Sequence, residues 1–245
     1  MKLLDSIKLL HLAWKYKYGA DKEAIAYINA CVKEGQVVID TGIGKTGYLY
    51  ALLKKIGPAG KAFAFEPQTK SYQYLTRIKK FFNWTNLTVE HLLISDQEEV
   101  ALLYITAGNY RNEFRQGPSV TGHKQETGAF TVEGVNAETL DTYCEKKNIR
   151  PDFIKIDAAG NELRVLEGGL DILKQCRPRI LAKIEASLTG EIMMQEIFDL
   201  IHWLRYKGYF LHGTKKMPLQ LFTFEKYHNR KDPANYCSSF VFEKE

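Results

Sequence analysis

From residue 35 onward, short apolar runs rich in β-formers alternate with longer stretches of helical period. Runs 36–40 (QVVID), 61–65 (KAFAF), 152–156 (DFIKI) and 179–184 are too short and too apolar for anything but buried strands. Residues 87–94 predict one or two strands, 99–106 another, and 209–211 and 239–242 two late ones. Between them, 45–56, 69–82, 138–147, 161–173 and 191–207 carry apolar residues at helical spacing. Strands alternating with helices predict an α/β domain with a mostly parallel sheet covered on both faces. No repeat or linker interrupts the rhythm, so 35–245 reads as one domain.

Two stretches depart from it. Residues 2–17 place Leu3, Ile7, Leu10 and Trp14 on one helical face with lysines opposite, and Asp21 is positioned to cap a second helix through about Val32. Residues 1–34 therefore read as a helical extension, whose first helix docks on the domain or offers a membrane-surface or homo-oligomer contact. Residues 107–128 are polar, contain glycine and lack an apolar period, as a lid, an acceptor loop or a disordered insertion would.

Composition narrows the picture little. The net charge of +5 is too small to argue for nucleic acid, and none is expected as a partner. Lys8 and His11 interrupt the apolar N-terminal residues, against a signal peptide or a membrane span. Cys31, Cys144, Cys176 and Cys237 are scattered, with no metal-ligand spacing, as in a chain from a reducing, cytoplasmic compartment. No metal site is expected.

The candidate chemistry lies where strands end. After Asp40, Gly42, Gly44 and Gly47 form G-x-G-x-x-G leading into a helix, a turn that brings backbone close to a ligand. Gly44-Lys45-Thr46 resembles the end of a P-loop, but that motif needs a glycine where Ile39 stands. A nicotinamide dinucleotide would set its pyrophosphate beside Asp40, which repels it, although Lys45 favours it. S-adenosyl-L-methionine (SAM) carries an ammonium and a sulfonium and no phosphate, so a strand-end acid suits it. Glu66 ends the next strand, where a carboxylate accepts from both hydroxyls of a ribose. Ser95 and Asp96 follow another strand and are placed to meet an adenine edge or to make an ordinary turn.

Taken in order, VVIDTGIGKTGYLYALLKKIG, KAFAFEPQ, LLISD, ETLDTYC, PDFIKIDAAGNELRVLEGG, RPRILAKIEAS and the ending NYCSSFVFE resemble the FkbM-type methyltransferase family. The resemblance implies a Rossmann-like class I methyltransferase fold with a seven-stranded sheet. It implies SAM as cofactor, S-adenosyl-L-homocysteine (SAH) as product, and O-methylation of a sugar, glycan or small metabolite. It also places Asp157 at the reaction centre, as acceptor contact or general base. Lys155 shares the face of Asp157 and is an alternate. Glu162, in the first turn after Gly160, is a further candidate or simply a carboxylate at a helix N-terminus. His123, in the polar stretch, is a candidate base.

The family's usual pattern is altered at Ile43, Gly44 and Thr46 in the first loop, at Ala159 where an acid is usual, and at Lys183 where a carboxylate is usual. These changes motivate an alternative, a catalytically impaired SAM-binding or scaffold protein. A nicotinamide oxidoreductase is a third reading, weakened by the lack of a Ser/Tyr-x-x-x-Lys pair near the later strands.

Overall fold

The computed structural model describes residues 21–43, 46–106, 112–114, 130–213 and 215–244. The helix expected at 2–17, Gly44, Lys45, His123 and most of 107–128 lie outside them.

The strands are β1 (Val37–Thr41), β2 (Lys61–Phe65), β3 (Leu87–Glu90), β4 (Leu93–Ser95), β5 (Glu99–Thr106), β6 (Asn112–Phe114), β7 (Phe130–Thr139), β8 (Phe153–Ile156), β9 (Arg179–Lys183), β10 (Tyr206–His212), β11 (Lys215–Pro218) and β12 (Ser239–Lys244). The helices are α1 (Lys22–Cys31), α2 (Thr46–Ile56), α3 (Thr69–Phe82), α4 (Leu140–Lys147), α5 (Glu162–Glu167), α6 (Leu170–Gln175), α7 (Ala186–Thr189), α8 (Glu191–Trp203) and α9 (Phe224–Tyr227).

The main sheet runs β11-β10-β12-β9-β8-β1-β2-β3. It has eight strands where seven are expected, because β11 pairs antiparallel with β10 and adds one strand at the edge. Strands β3, β2, β1, β8 and β9 are parallel, and β12 runs antiparallel between β9 and β10. Side chains alternate across each strand, so adjacent residues enter opposite cores. Ile39, Ile154, Ile180 and Phe240 pack on one face with residues of α4, α5 and α8, while Val38, Phe153, Leu181 and Val241 pack on the other with α1 and α2. This double burial is why the strands read as unbroken apolar runs.

Between β3 and β8 the chain builds a second sheet, β4-β7-β5-β6, which the single-sheet expectation lacks. Strand β7 occupies residues left unassigned in sequence and takes the first two positions of the helix expected at 138–147. That helix starts at Leu140, where the Thr139 hydroxyl accepts from the Thr142 N–H at 3.0 Å.

Other boundaries move for local reasons. The helix expected over 161–173 breaks into α5 and α6 at Gly168-Gly169. A Cβ on Gly168 would sit 2.0 Å from the Ser95 carbonyl oxygen, backbone against backbone. Gly168→Ala is therefore expected to destabilise the protein by about 3 kcal/mol. Gly169→Ala meets chiefly the flexible end of Leu140, at 3.0 Å, and is expected to cost clearly less. Comparable chemical-denaturation midpoints for the two variants would refute the packing argument. The helix expected over 191–207 stops at Trp203, since Arg205 turns left-handed (φ 58°) and β10 begins at Tyr206. Asp21 precedes α1 but makes no side-chain cap; its carboxylate pairs with Lys183 at 2.8 Å.

Candidate functional site

Strands β2 and β3 follow β1 in one direction across the sheet, and β8 and β9 lie in the other. The order reverses between β1 and β8, and ligands of open α/β sheets bind beyond the carboxyl ends of strands at such a point. There the Gly42 N–H donates to the Phe65 carbonyl at 3.0 Å, and the Asp157 N–H donates to the Thr41 carbonyl at 3.1 Å. Gly42 has φ +71°, and a Cβ on it would lie 2.0 Å from the Asp157 carbonyl oxygen. Only glycine allows this crossing.

Asp40 and Lys155 are register partners on β1 and β8, and both are 1% exposed. The Lys155 ammonium stands 3.0 Å from Asp40 Oδ1, donates to the Gly42 carbonyl at 3.0 Å, lies 3.7 Å from Asp157 Oδ2, and sits 5.1 Å from the centre of the Tyr48 ring. Burial alone would depress this ammonium, but the Asp40 and Asp157 carboxylates outweigh it and hold it above the usual lysine range. Lys155 is therefore a fixed cation, unsuited to act as a base near neutral pH. Burial pushes the Asp40 carboxyl up against the pull of Lys155, and Asp40 Oδ2 has no hydrogen-bond partner. Being enclosed, Asp40 could reach a ligand beside the Gly42 turn only through its field. Asp157 is 21% exposed and presents the more open carboxylate of the three-member cluster.

Glu66 is buried at the end of β2, and its Oε1 accepts from the Gln68 N–H at 3.0 Å. Burial pushes it up to about 7, although the Gln68 and Ile43 N–H groups and Lys155 pull the other way. Between β1, β2, β4 and β5 lies a narrow cleft whose interior is about 20 Å³, lined by apolar groups including Phe65, Pro67, Leu92 and Leu103, with Asn161 among them. The Thr46 hydroxyl is buried without a hydrogen-bond partner at the N-terminus of α2, where anionic groups are favoured. Gly47 lies buried in the same turn.

The remaining expected residues are placed differently. Glu162 is 2% exposed; its Oε1 accepts from the Ala158 and Gly160 N–H groups, and its Oε2 from the Thr189 hydroxyl at 2.9 Å. It braces the loop after β8 against α7 rather than facing the cleft. Ser95 is fully buried and donates to Asp96, whose Oδ1 also meets the Arg164 guanidinium at 3.1 Å. That pair turns Asp96 toward α5, an engagement invisible from the spacing because Arg164 lies on another element. His91, which the sequence does not single out as a site residue, donates from Nε2 to the Pro67 carbonyl at 3.0 Å and stacks on Tyr72, so it shapes the turn after Glu66. Lys183 is tied to Asp21 beside this group, and Ala159 adopts φ +51° next to Gly160. Among the described residues, no three His, Cys, Asp or Glu side chains converge as a metal site.

The family description "Methyltransferase FkbM domain" matches residues 35–211. No curated protein matches the chain. Among solved structures, the chain is similar to methyltransferase FkbM from Methylobacillus flagellatus KT, at 12% identity and a TM-score of 0.54, covering 97% of this chain and 54% of that one. It thus spans about half the length of that relative. It is similar to an O-methyltransferase from Bacillus cereus in complex with SAH, at 11% identity and a TM-score of 0.54, covering 97% and 89%. A fibrillarin from Aeropyrum pernix with natively bound SAM aligns at 13% identity and a TM-score of 0.50, covering 91% and 74%. At these identities the likeness is one of fold.

Proposed function

Because the chain belongs to the FkbM methyltransferase family, we propose that it binds SAM at the β1/β8 switch point and methylates a hydroxyl of a sugar, glycan or small metabolite. The observation that carries this reading is the set of acids at the strand ends beside an apolar cleft, where the cation among the described residues is already paired. Lys155, the cation among them, is committed to Asp40 and Gly42. The residues fit the cofactor. The apolar cleft suits adenine, Glu66 would hold the ribose hydroxyls, and the field of Asp40 would favour the positive charges. Thr46 and the α2 N-terminus suit a carboxylate.

When bound, SAM supplies a methyl group already activated by its sulfonium. What is left to the protein is alignment of the acceptor and removal of its proton. Asp157 is the open carboxylate of the cluster, and we assign it the acceptor hydroxyl, whose hydrogen bond it accepts and whose proton it takes as the new bond forms. Lys155 positions Asp157 and stays charged. Glu162 acts through the loop it braces. All four cysteines are free thiols, as a reducing compartment keeps them. No helix among the described residues is long and apolar enough to cross a membrane.

Calorimetric titration tests the cofactor: SAH and SAM are expected to bind and NAD to give no heat. NAD binding without SAM would replace this reading with an oxidoreductase.

A second reading, a SAM-binding protein with impaired chemistry, is favoured by Ala159 and by the Asp21–Lys183 pair at the strand ends. The two are separated by radiolabelled methyl transfer to a panel of hydroxylated sugars and metabolites. Turnover by the native chain supports the enzyme. Turnover only after Ala159→Glu supports the impaired protein.

A further inference from the structure

Positive charge is distributed unevenly along this chain. Residues 46–89 carry seven basic side chains and one acid, the buried Glu66, a net +6 in a chain whose total is +5. Lys54 and Lys55 end α2, and Lys61 begins β2. On α3, Arg77 and Lys80 are exposed three residues apart on one helical face near its C-terminal end, with half-buried Lys79 on another face, while exposed Lys70 lies in the first turn at the other end. Among the described residues none of the seven makes an ion pair, whereas Lys146, Lys183, Lys216, Arg164 and Arg230 all do.

The ends of the two helices form one surface. The Asn86 amide donates to the Gly57 carbonyl at 2.8 Å and to the Gly60 carbonyl at 3.0 Å, tying the turn after α2 to the turn after α3. Tyr50 of α2 meets Trp84 with ring centres 6.5 Å apart. At the tip of α3, Phe81 is 41% exposed and packs edge-on against Phe82, which stacks on Trp84 at 5.1 Å. Lysines in a last helical turn suit the helix dipole. The dipole explains neither Lys61 and Arg77 nor an exposed phenylalanine among cations.

We propose that this surface docks on an anionic lipid bilayer, with the unpaired basic side chains meeting lipid headgroups and Phe81 entering the interface. Aromatic rings with lysines around them match the interface, where one end of a side chain is apolar and the other wet. Phe82 and Trp84 spend ring faces on each other, which leaves a poor platform for stacking nucleic-acid bases. Helices α2 and α3 run antiparallel to the strands, so their C-terminal ends lie at the end of the sheet opposite the strand-end acids. A docked protein would hold its cleft away from the bilayer.

Co-sedimentation of the full chain with phosphatidylcholine vesicles, with and without phosphatidylserine, tests this. Binding is expected only with phosphatidylserine and should weaken with salt. The triple variant Lys54→Glu, Lys61→Glu, Lys80→Glu is expected to lower it at least about tenfold. Phe81→Ser is expected to lower it about threefold without altering the salt dependence. Thermal unfolding of each variant checks its fold; if the triple variant does not fold, the three single reversals are read instead. No binding by the native chain, or reversals that leave binding unchanged and so place it in residues 1–17, would overturn the proposal. Tighter, reversal-sensitive binding of a single-stranded oligonucleotide than of the vesicles would also overturn it.

Discussion

Lys155→Met is expected to destabilise the protein by about 3–5 kcal/mol, read from the urea midpoint near neutral pH. The substitution keeps the volume of the side chain but removes the ammonium from Asp40 Oδ1 and from the Gly42 carbonyl, both 3.0 Å away. Asp40, 1% exposed, would then hold an uncompensated charge or take up a proton. The loss should therefore shrink in acid, where protonation is easier. The double variant Lys155→Met, Asp40→Asn removes both charges and is expected to recover much of the stability, since a buried pair is costly chiefly when broken on one side. A loss below about 1 kcal/mol in the single variant would mean that the pair does not hold the switch point together.

Glu66→Ala is expected to weaken SAH binding about 100-fold, the loss of two hydrogen bonds to a charged group. The native protein should lose affinity as pH falls through about 7, where the Glu66 carboxylate takes a proton. Its stability should respond in the opposite sense. A carboxyl raised from 4.5 to about 7 in the fold contributes most below 4.5, and that contribution disappears as pH rises through 7. The span corresponds to roughly 3 kcal/mol. Ligand-free protein should thus become more stable toward mild acid while it binds less well, and Glu66→Ala should flatten both trends. Parallel melting and calorimetric series between pH 5 and 8 give the answer. A binding profile equally steep in the variant would assign the titration elsewhere.

The parts of the fold visible in sequence were those whose cause is local. The span of α3 follows from its own period, and that of β5 from its run of β-formers. The acids Asp40, Glu66 and Asp157 stand out because strand ends are easy to locate. The second sheet was hidden because β4 pairs with β7 across more than forty intervening residues, and because Gly134 and Asn136 dilute the β-pattern of β7. Strand β11, KKMP, is a polar edge strand with no apolar alternation to read. Pairing hides in the same way at the site. Asp21 looked like a helix cap, and its partner Lys183 is 162 positions away. Lys183 looked like a lost acid, and the structure shows a cation with its own carboxylate.

The position of β12 bears on how the chain reaches its native state. Residues 239–244 are the last of the main sheet in sequence, yet they fill the gap between β9 and β10. On a ribosome, everything up to β11 emerges before the strand that joins the two parts. During that interval β9 and β10 each present an unpaired edge, with Ile180, Leu181 and Phe210 open to other chains. Folding of this domain is therefore completed only after synthesis has passed residue 244, and the nascent chain should depend on chaperones until then.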